Sequence, residues 1–122
     1  MNLGSTGQKG EDMVAAFLRK QNCTILKRNY HCRFGEIDII AQKDNLLLFV
    51  EVKTRKSDAI VSAAEAVDSK KIHRITLTAQ DYICKTSVSE LLQPRFDVAE
   101  VTISTDKNGK EHYSLNYIKN AF

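Results

Sequence analysis

Three ionisable side chains stand where a buried strand would ordinarily hold hydrocarbon. Asp38 interrupts the run Ile37-Asp38-Ile39-Ile40, and Glu51 and Lys53 flank Val52 just beyond Leu46-Leu47-Leu48-Phe49-Val50, the longest aliphatic or aromatic run in the chain. Taking an unpaired charge out of water is costly, so such groups are paired or bound to a metal. Strand side chains alternate between faces, which turns Glu51 and Lys53 one way and Val50 and Val52 the other; Asp38, on the neighbouring strand, can share the face of the first pair. Two acids and one base suggest a cation site. Carboxylate oxygens suit Mg²⁺ or Mn²⁺ and leave coordination positions for water and a phosphate oxygen. A lysine two residues from a metal-binding acid can orient an attacking water or counter charge that builds on phosphorus. The plainer reading is a buried ion-pair network. Replacing such a network by apolar groups is often neutral or stabilising, so folding alone is a poor reason to keep one.

These residues need two adjacent strands to carry them, and the pattern supplies them. The apolar stretches 37–41 and 46–52 surround Gln42-Lys43-Asp44-Asn45, which reads as a β-hairpin. Ser5 with Gln8 forms a capping box, and Met13, Val14, Phe17 and Leu18 recur at helical spacing, so a helix is predicted over about residues 6–21. Glu11 falls beside its apolar stripe, where it either faces the site or simply favours the helix N-terminal dipole. Residues 24–30 read as a first strand, followed by a polar connection of His31, Cys32 and Arg33. Arg28, Arg33 and His31 either contact phosphates or form a solvated loop. Thr54 to Val61 reads as a mobile loop at the mouth of the site, with Arg55 and Lys56 either touching a backbone or simply solvated. Ser62 and Glu65 form a second capping box; Val67, Ile72, Ile75, Ala79, Tyr82 and Ile83 carry a helix to about Cys84, with Asp68-Ser69 able to divide it. Lys71 lies near the buried edge of that helix, so its ammonium can reach the rim of the site. Lys85 to Pro94 is a polar connection. Arg95 to Ile103 alternates as a strand, and Asp106-Lys107-Asn108-Gly109 turns it into a last strand over Glu111 to Ile118.

Asp38, a spacer of twelve residues and Glu51-Val52-Lys53 together resemble the nuclease motif written PD-(D/E)xK, with Ile37 where that motif usually has proline. More closely, Gly35-Glu36-Ile37-Asp38 with Phe49-Val50-Glu51-Val52-Lys53-Thr54-Arg55 resembles the YraN family, small bacterial proteins predicted to be endonucleases and similar in fold to archaeal Holliday-junction resolvases; the likeness runs from about Gly7 to Val101. The resemblance implies an α/β, restriction-endonuclease-like domain over residues 1–122, with a central mixed sheet of about five strands flanked by helices. It implies a Mg²⁺ (or Mn²⁺) ion held by Asp38 and Glu51, with Glu11 and the Val52 carbonyl as further ligands, and Lys53 as the third catalytic residue. It also implies a lysine at Lys71 and the triplet Arg95-Phe96-Asp97, with Asp97 structural. The expected activity is metal-dependent hydrolysis of DNA phosphodiester bonds, with branched DNA and a homodimer suggested by the resolvases. The alternative is a nucleic-acid-binding protein that keeps the nuclease fold without turnover.

Composition narrows the rest. The chain has 122 residues, 18 Lys plus Arg against 15 Asp plus Glu, and a net charge of +3. Its pI of about 8.8 is mildly basic, short of a dedicated nucleic-acid module. Cys23, Cys32 and Cys84 are an odd set without Cys-x-x-Cys spacing, which argues against a disulfide framework or a structural zinc site and for reduced, mostly packed thiols. The N-terminus lacks a basic then apolar leader, so a soluble, cytoplasmic protein is expected. No zinc finger, helix-turn-helix or aromatic RNA-binding signature is present, so recognition is expected to rest on backbone or shape rather than base sequence.

Overall fold

The computed structural model describes residues 6–57, 68–88 and 90–122. Their elements run α1 (Thr6–Lys20), β1 (Thr24–Cys32), β2 (Gly35–Lys43), β3 (Leu46–Lys56), α2 (Ser69–Thr86), β4 (Gln93–Thr105) and β5 (Glu111–Ile118). One mixed sheet holds the strands in the order β1-β2-β3-β4-β5. Only β3 and β4 are parallel, and α2 makes the crossover between them. The result is an α/β fold, with a five-stranded sheet and two helices among the described residues.

The two helices cover opposite faces because β2 and β3 are apolar on both. Val14, Ala15 and Leu18 of α1 pack with Ile39, Ala41, Leu48, Val50, Ala99 and Val101. On the other face Ile75, Ala79 and Tyr82 of α2 pack with Ile37, Ile40, Leu47 and Phe49. A strand buried on both faces reads as a continuous hydrophobic run, which is why β3 begins as five apolar residues in succession.

Helix ends follow local chemistry. α1 closes in a Schellman motif, with left-handed Asn22 (φ 66°) and the Cys23 N–H donating to the Leu18 carbonyl at 2.9 Å. α2 starts at Asp68, whose carboxylate accepts the Lys71 N–H at 2.9 Å. The helix therefore begins at the division anticipated at Asp68-Ser69. The capping boxes at Ser5 and at Ser62 with Glu65, Val67, and the loop reading for Asp58 to Val61 lie outside the described residues.

Several boundaries move. His31 and Cys32 belong to β1, leaving Arg33 and Phe34 as the whole turn into β2. Thr54, Arg55 and Lys56 are strand rather than loop, because β4 pairs with β3 in register from Leu46↔Gln93 to Lys56↔Ile103 and so extends it. Polar composition at 54–56 suggested a loop; a neighbouring strand overrode it. Pro94 sits inside β4 but before β5 joins at Val98, where a missing N–H is tolerated. Cys84 is exposed, so only Cys23 of the three thiols is fully packed.

Gly10 sets the distance between α1 and the sheet. A Cβ at that position would lie 1.9 Å from Thr54 Oγ1, 3.0 Å from Thr54 Cβ and 3.1 Å from Thr54 Cγ2. Rotating the threonine only exchanges one clash for another. Gly10→Ala is expected to cost about 1–3 kcal/mol despite the better helix propensity of alanine. Gly7→Ala, on the same helix with nothing within 4 Å, should instead be neutral or stabilising. Thermal denaturation of the two variants side by side checks this; equal melting temperatures would refute the contact argument.

Candidate active site

Beyond the pair Ile39↔Val50, β2 and β3 part company: residues 35–37 pair only with β1, and β3 continues along β4. Alternation in β2 breaks at the same point, since Ile37 packs under α2 and Ile39, two residues on, under α1. Asp38 occupies the fork. Its Oδ2 accepts the Val52 N–H at 2.7 Å, so a carboxylate stands in for the ladder bond that the departing strand would have made. β1 is disturbed opposite. Asn29, between the pairs Arg28↔Ile39 and Tyr30↔Ile37, is left-handed (φ 54°), a conformation that asparagine tolerates.

The fork opens on two clefts, both bordered by Asp38. One, of about 210 Å³, is walled by Gly35, Glu36, Asp38 and Glu51 from the sheet and by Lys71 and Arg74 from α2. The other, of about 340 Å³, lies towards α1 and is walled by Glu11, Asp38, Val52, Lys53 and Thr54. Asp38 therefore does not simply share the face of Glu51; it sits between the sides and communicates with both. The Lys53 ammonium lies 3.2 Å from Glu51 Oε1, and the Lys71 ammonium lies 2.9 Å from the same oxygen.

Electrostatics mark the fork as strained. Burial, and then the charges of Glu51 and Glu11, push the Asp38 carboxyl up to about 6, against the opposing pull of the Val52 N–H and Lys53. Lys53 is held below the ordinary lysine range, chiefly by burial and then by the neighbouring Lys71. A carboxyl that resists ionising beside a lysine that resists protonation is the kind of arrangement found at functional sites.

The oxygens gathered here are hard donors: carboxylates of Asp38 and Glu51, with the Val52 carbonyl and Glu11 nearby in sequence or cleft. Like-charge repulsion on Asp38 is what a divalent cation would relieve, so the residues fit Mg²⁺ or Mn²⁺. Among the described residues, however, no three His, Cys, Asp or Glu side chains are already gathered closely enough to hold an ion. Glu11 explains part of this. It is buried and borders the Asp38 cleft, but its Oε1 accepts from Arg28 Nε at 3.0 Å and from Asn29 Nδ2 at 3.1 Å.

Other expected site residues divide. Arg28 is committed to Glu11 and to Asp12, at 2.6 Å, so it holds α1 on β1 rather than offering itself to a phosphate. Arg33 is exposed and lies over the Phe34 ring, 4.7 Å from its centroid, outside both clefts. His31 is exposed and lines neither cleft. Arg55 is half-buried with its Nε lacking a hydrogen-bond partner, and Lys56 is exposed at the end of β3. Lys71 reaches the site as its helical position suggested, but grips Glu51. Arg74 was the residue passed over. Its place three residues after Lys71 puts it on the same side of α2, and that spacing was the available signal. Asp97 is fully buried and structural, as the triplet implied: Arg95 Nε and Nη2 donate to its two oxygens at 2.9 and 3.0 Å, with Tyr117 Oη at 2.6 Å and the Asn120 N–H at 2.9 Å.

The model of the "Uncharacterised protein family UPF0102" matches residues 10–101, a span that contains every residue at the fork. A UPF0102 protein of Clostridium botulinum (strain 657 / Type Ba4) is 41% identical over 116 residues, covering 95% of this chain and 92% of its own length. A UPF0102 protein of Caldanaerobacter subterraneus subsp. tengcongensis is 41% identical over 122 residues, covering 100% of this chain and 98% of its own. The chain belongs to the UPF0102 family.

Proposed function

We infer that this protein is a metal-dependent endonuclease that hydrolyses DNA phosphodiester bonds, built on a restriction-endonuclease-like domain. The observation that carries the reading is the fork itself: Asp38 on β2 and Glu51 and Lys53 on β3 come together where the two strands part, beside clefts open to solvent. In this reading Asp38 and Glu51, with the Val52 carbonyl and Glu11, hold one or two Mg²⁺ or Mn²⁺ ions. A divalent ion there would supply polarisation of the phosphoryl group and a lower pKa for the attacking water. Lys53, kept close by its contact with Glu51, orients that water or balances charge building on phosphorus. Arg74 and Lys71 on the α2 wall, and Arg55 and Lys56 at the end of β3, are placed to meet a polyanion.

Nothing in the described residues supplies a groove-reading element, so recognition is directed at backbone or branched shape. One site cuts one strand; symmetric cutting of a junction needs a homodimer. Work on DNA in repair or recombination would place the protein in the cytoplasm. No helix among the described residues is long and apolar enough to cross a membrane.

A second reading is a nucleic-acid-binding protein with this fold and no turnover, and the diversion of Glu11 onto Arg28 favours it. Incubating branched, flapped and single-stranded DNA with Mn²⁺ separates the two. Wild type should cleave at least one substrate, and Lys53→Ala should cleave it roughly 10²-fold more slowly while still binding it. Binding by both proteins with cleavage by neither would replace the first reading by the second.

A further inference from the structure

Glu51 carries two ammonium groups on one oxygen. Lys53 reaches Oε1 along β3 at 3.2 Å, and Lys71 reaches it from the first turn of α2 at 2.9 Å. Charge balance within β3 does not require the second, since Lys53, Arg55 and Lys56 already stand against Glu51 as the one acid of the strand. The glutamate side chain is 11% exposed, Lys53 16% and Lys71 27%, so the three share a poorly solvated space in which charges act strongly on one another. A Mg²⁺ or Mn²⁺ ion bound to Glu51 would sit about 2.1 Å from its oxygen, with two ammonium groups already against that carboxylate. That arrangement sets one carboxylate against four positive charges, with Asp38 and Glu36 the further acids lining the cleft. One cation has to leave.

We propose that Lys71 is a resident counter-cation of the metal site: it neutralises Glu51 while no divalent ion is bound, is displaced when one binds, and then faces the substrate phosphate across the cleft it shares with Arg74. This rests on the endonuclease reading and adds a competition to it. Lys71 is the ammonium that moves because it is the more exposed, belongs to a different element from Glu51, and hangs on a long stem over a cleft of about 210 Å³ into which it can turn. Lys53 is the one that stays, since it is fixed to the same strand two residues from Glu51 and lies beside Asp38 in the other cleft. The exchange keeps the site close to neutral in both states and delivers a positive group to the place where a scissile phosphate would lie.

The test is calorimetric titration of Mn²⁺ into wild type, Lys71→Met, Lys71→Arg and Asp38→Ala. Methionine keeps the apolar stem and removes the charge, so Lys71→Met should bind Mn²⁺ about tenfold more tightly, whereas Lys71→Arg should stay near wild type. Binding by Lys71→Met that is equal to wild type or weaker overturns the proposal, and does so without touching the metal site if Asp38→Ala still abolishes the heat. Absence of binding in both wild type and Lys71→Met overturns the proposal and the metal-site reading together; binding by Lys71→Met alone supports the competition. An independent measurement on wild type needs no variant. Acetylation of Lys71 by an amine-reactive reagent, read by mass spectrometry, should speed up several-fold in saturating Mn²⁺ while that of Lys53 does not, and an unchanged Lys71 rate overturns the displacement.

Discussion

Asp38→Asn is expected to lower metal-dependent DNA cleavage roughly 10³-fold or more, and to remove the pH dependence that Asp38 gives to both metal binding and stability. Asparagine keeps an oxygen for the Val52 N–H, which the carboxylate now accepts at 2.7 Å, so the fork should survive while its charge is lost. The pH signature separates this from a merely structural effect. With the carboxyl pushed up to about 6 from 3.8, the folded metal-free protein holds a proton that the unfolded chain has already released. The contribution to stability is therefore fully present below about pH 4 and is lost as pH rises through about 6. A rise of about two pH units corresponds to about 3 kcal/mol, so the metal-free wild type should lose up to that amount across the window relative to Asp38→Asn. Metal binding runs the opposite way, because the ion needs the ionised form: affinity should fall about tenfold per pH unit below about 6. Urea denaturation and Mn²⁺ titration between pH 4 and 8 check both. Parallel stability profiles for the two proteins, or cleavage by Asp38→Asn within tenfold of wild type, would remove Asp38 from the site.

Asp97→Ala should be the most damaging single change to the fold. The carboxylate is fully buried and accepts from both Arg95 nitrogens, from Tyr117 Oη and from the Asn120 N–H, so it joins β4 to β5 and to the chain end. Deleting it leaves a guanidinium only 21% exposed without its partner, and two further donors unsatisfied. Removing one member of a buried ion pair costs about 3–5 kcal/mol. For a domain of this size that is a fall in melting temperature of roughly 10–20 °C. The consequence reaches the fork, since Asp97 pairs with Val50 in the parallel ladder, one residue before Glu51. A loss below about 1 kcal/mol would show that Arg95 and Tyr117 find replacement partners.

The hairpin of β2 and β3, the two helices, the strand from Arg95 and the final hairpin were legible because each rests on short-range chemistry: periodicity, and a turn that ends in left-handed Gly109. Glu51 and Lys53 were legible as neighbours because residues two apart on a strand must share a face, and they meet at 3.2 Å. For Asp38 the same rule gave only part of the answer: it shares a cleft with Glu51, but it borders the cleft towards α1 as well. Alternation holds only while a strand keeps its ladder, and β2 pairs with β3 only from Ile39 onward, which leaves the preceding carboxylate in the gap instead of on one face. Nor does spacing disclose which cations are spoken for: Arg28 is consumed by Glu11 and Asp12, whereas Lys71 reaches across from another element to Glu51. By itself, then, the sequence determined which residues bear charge inside an apolar sheet and which short segments carry them. The tertiary structure alone decided where the sheet splits, how far β4 extends β3, and which charges neutralise one another, because those depend on contacts between residues far apart in the chain.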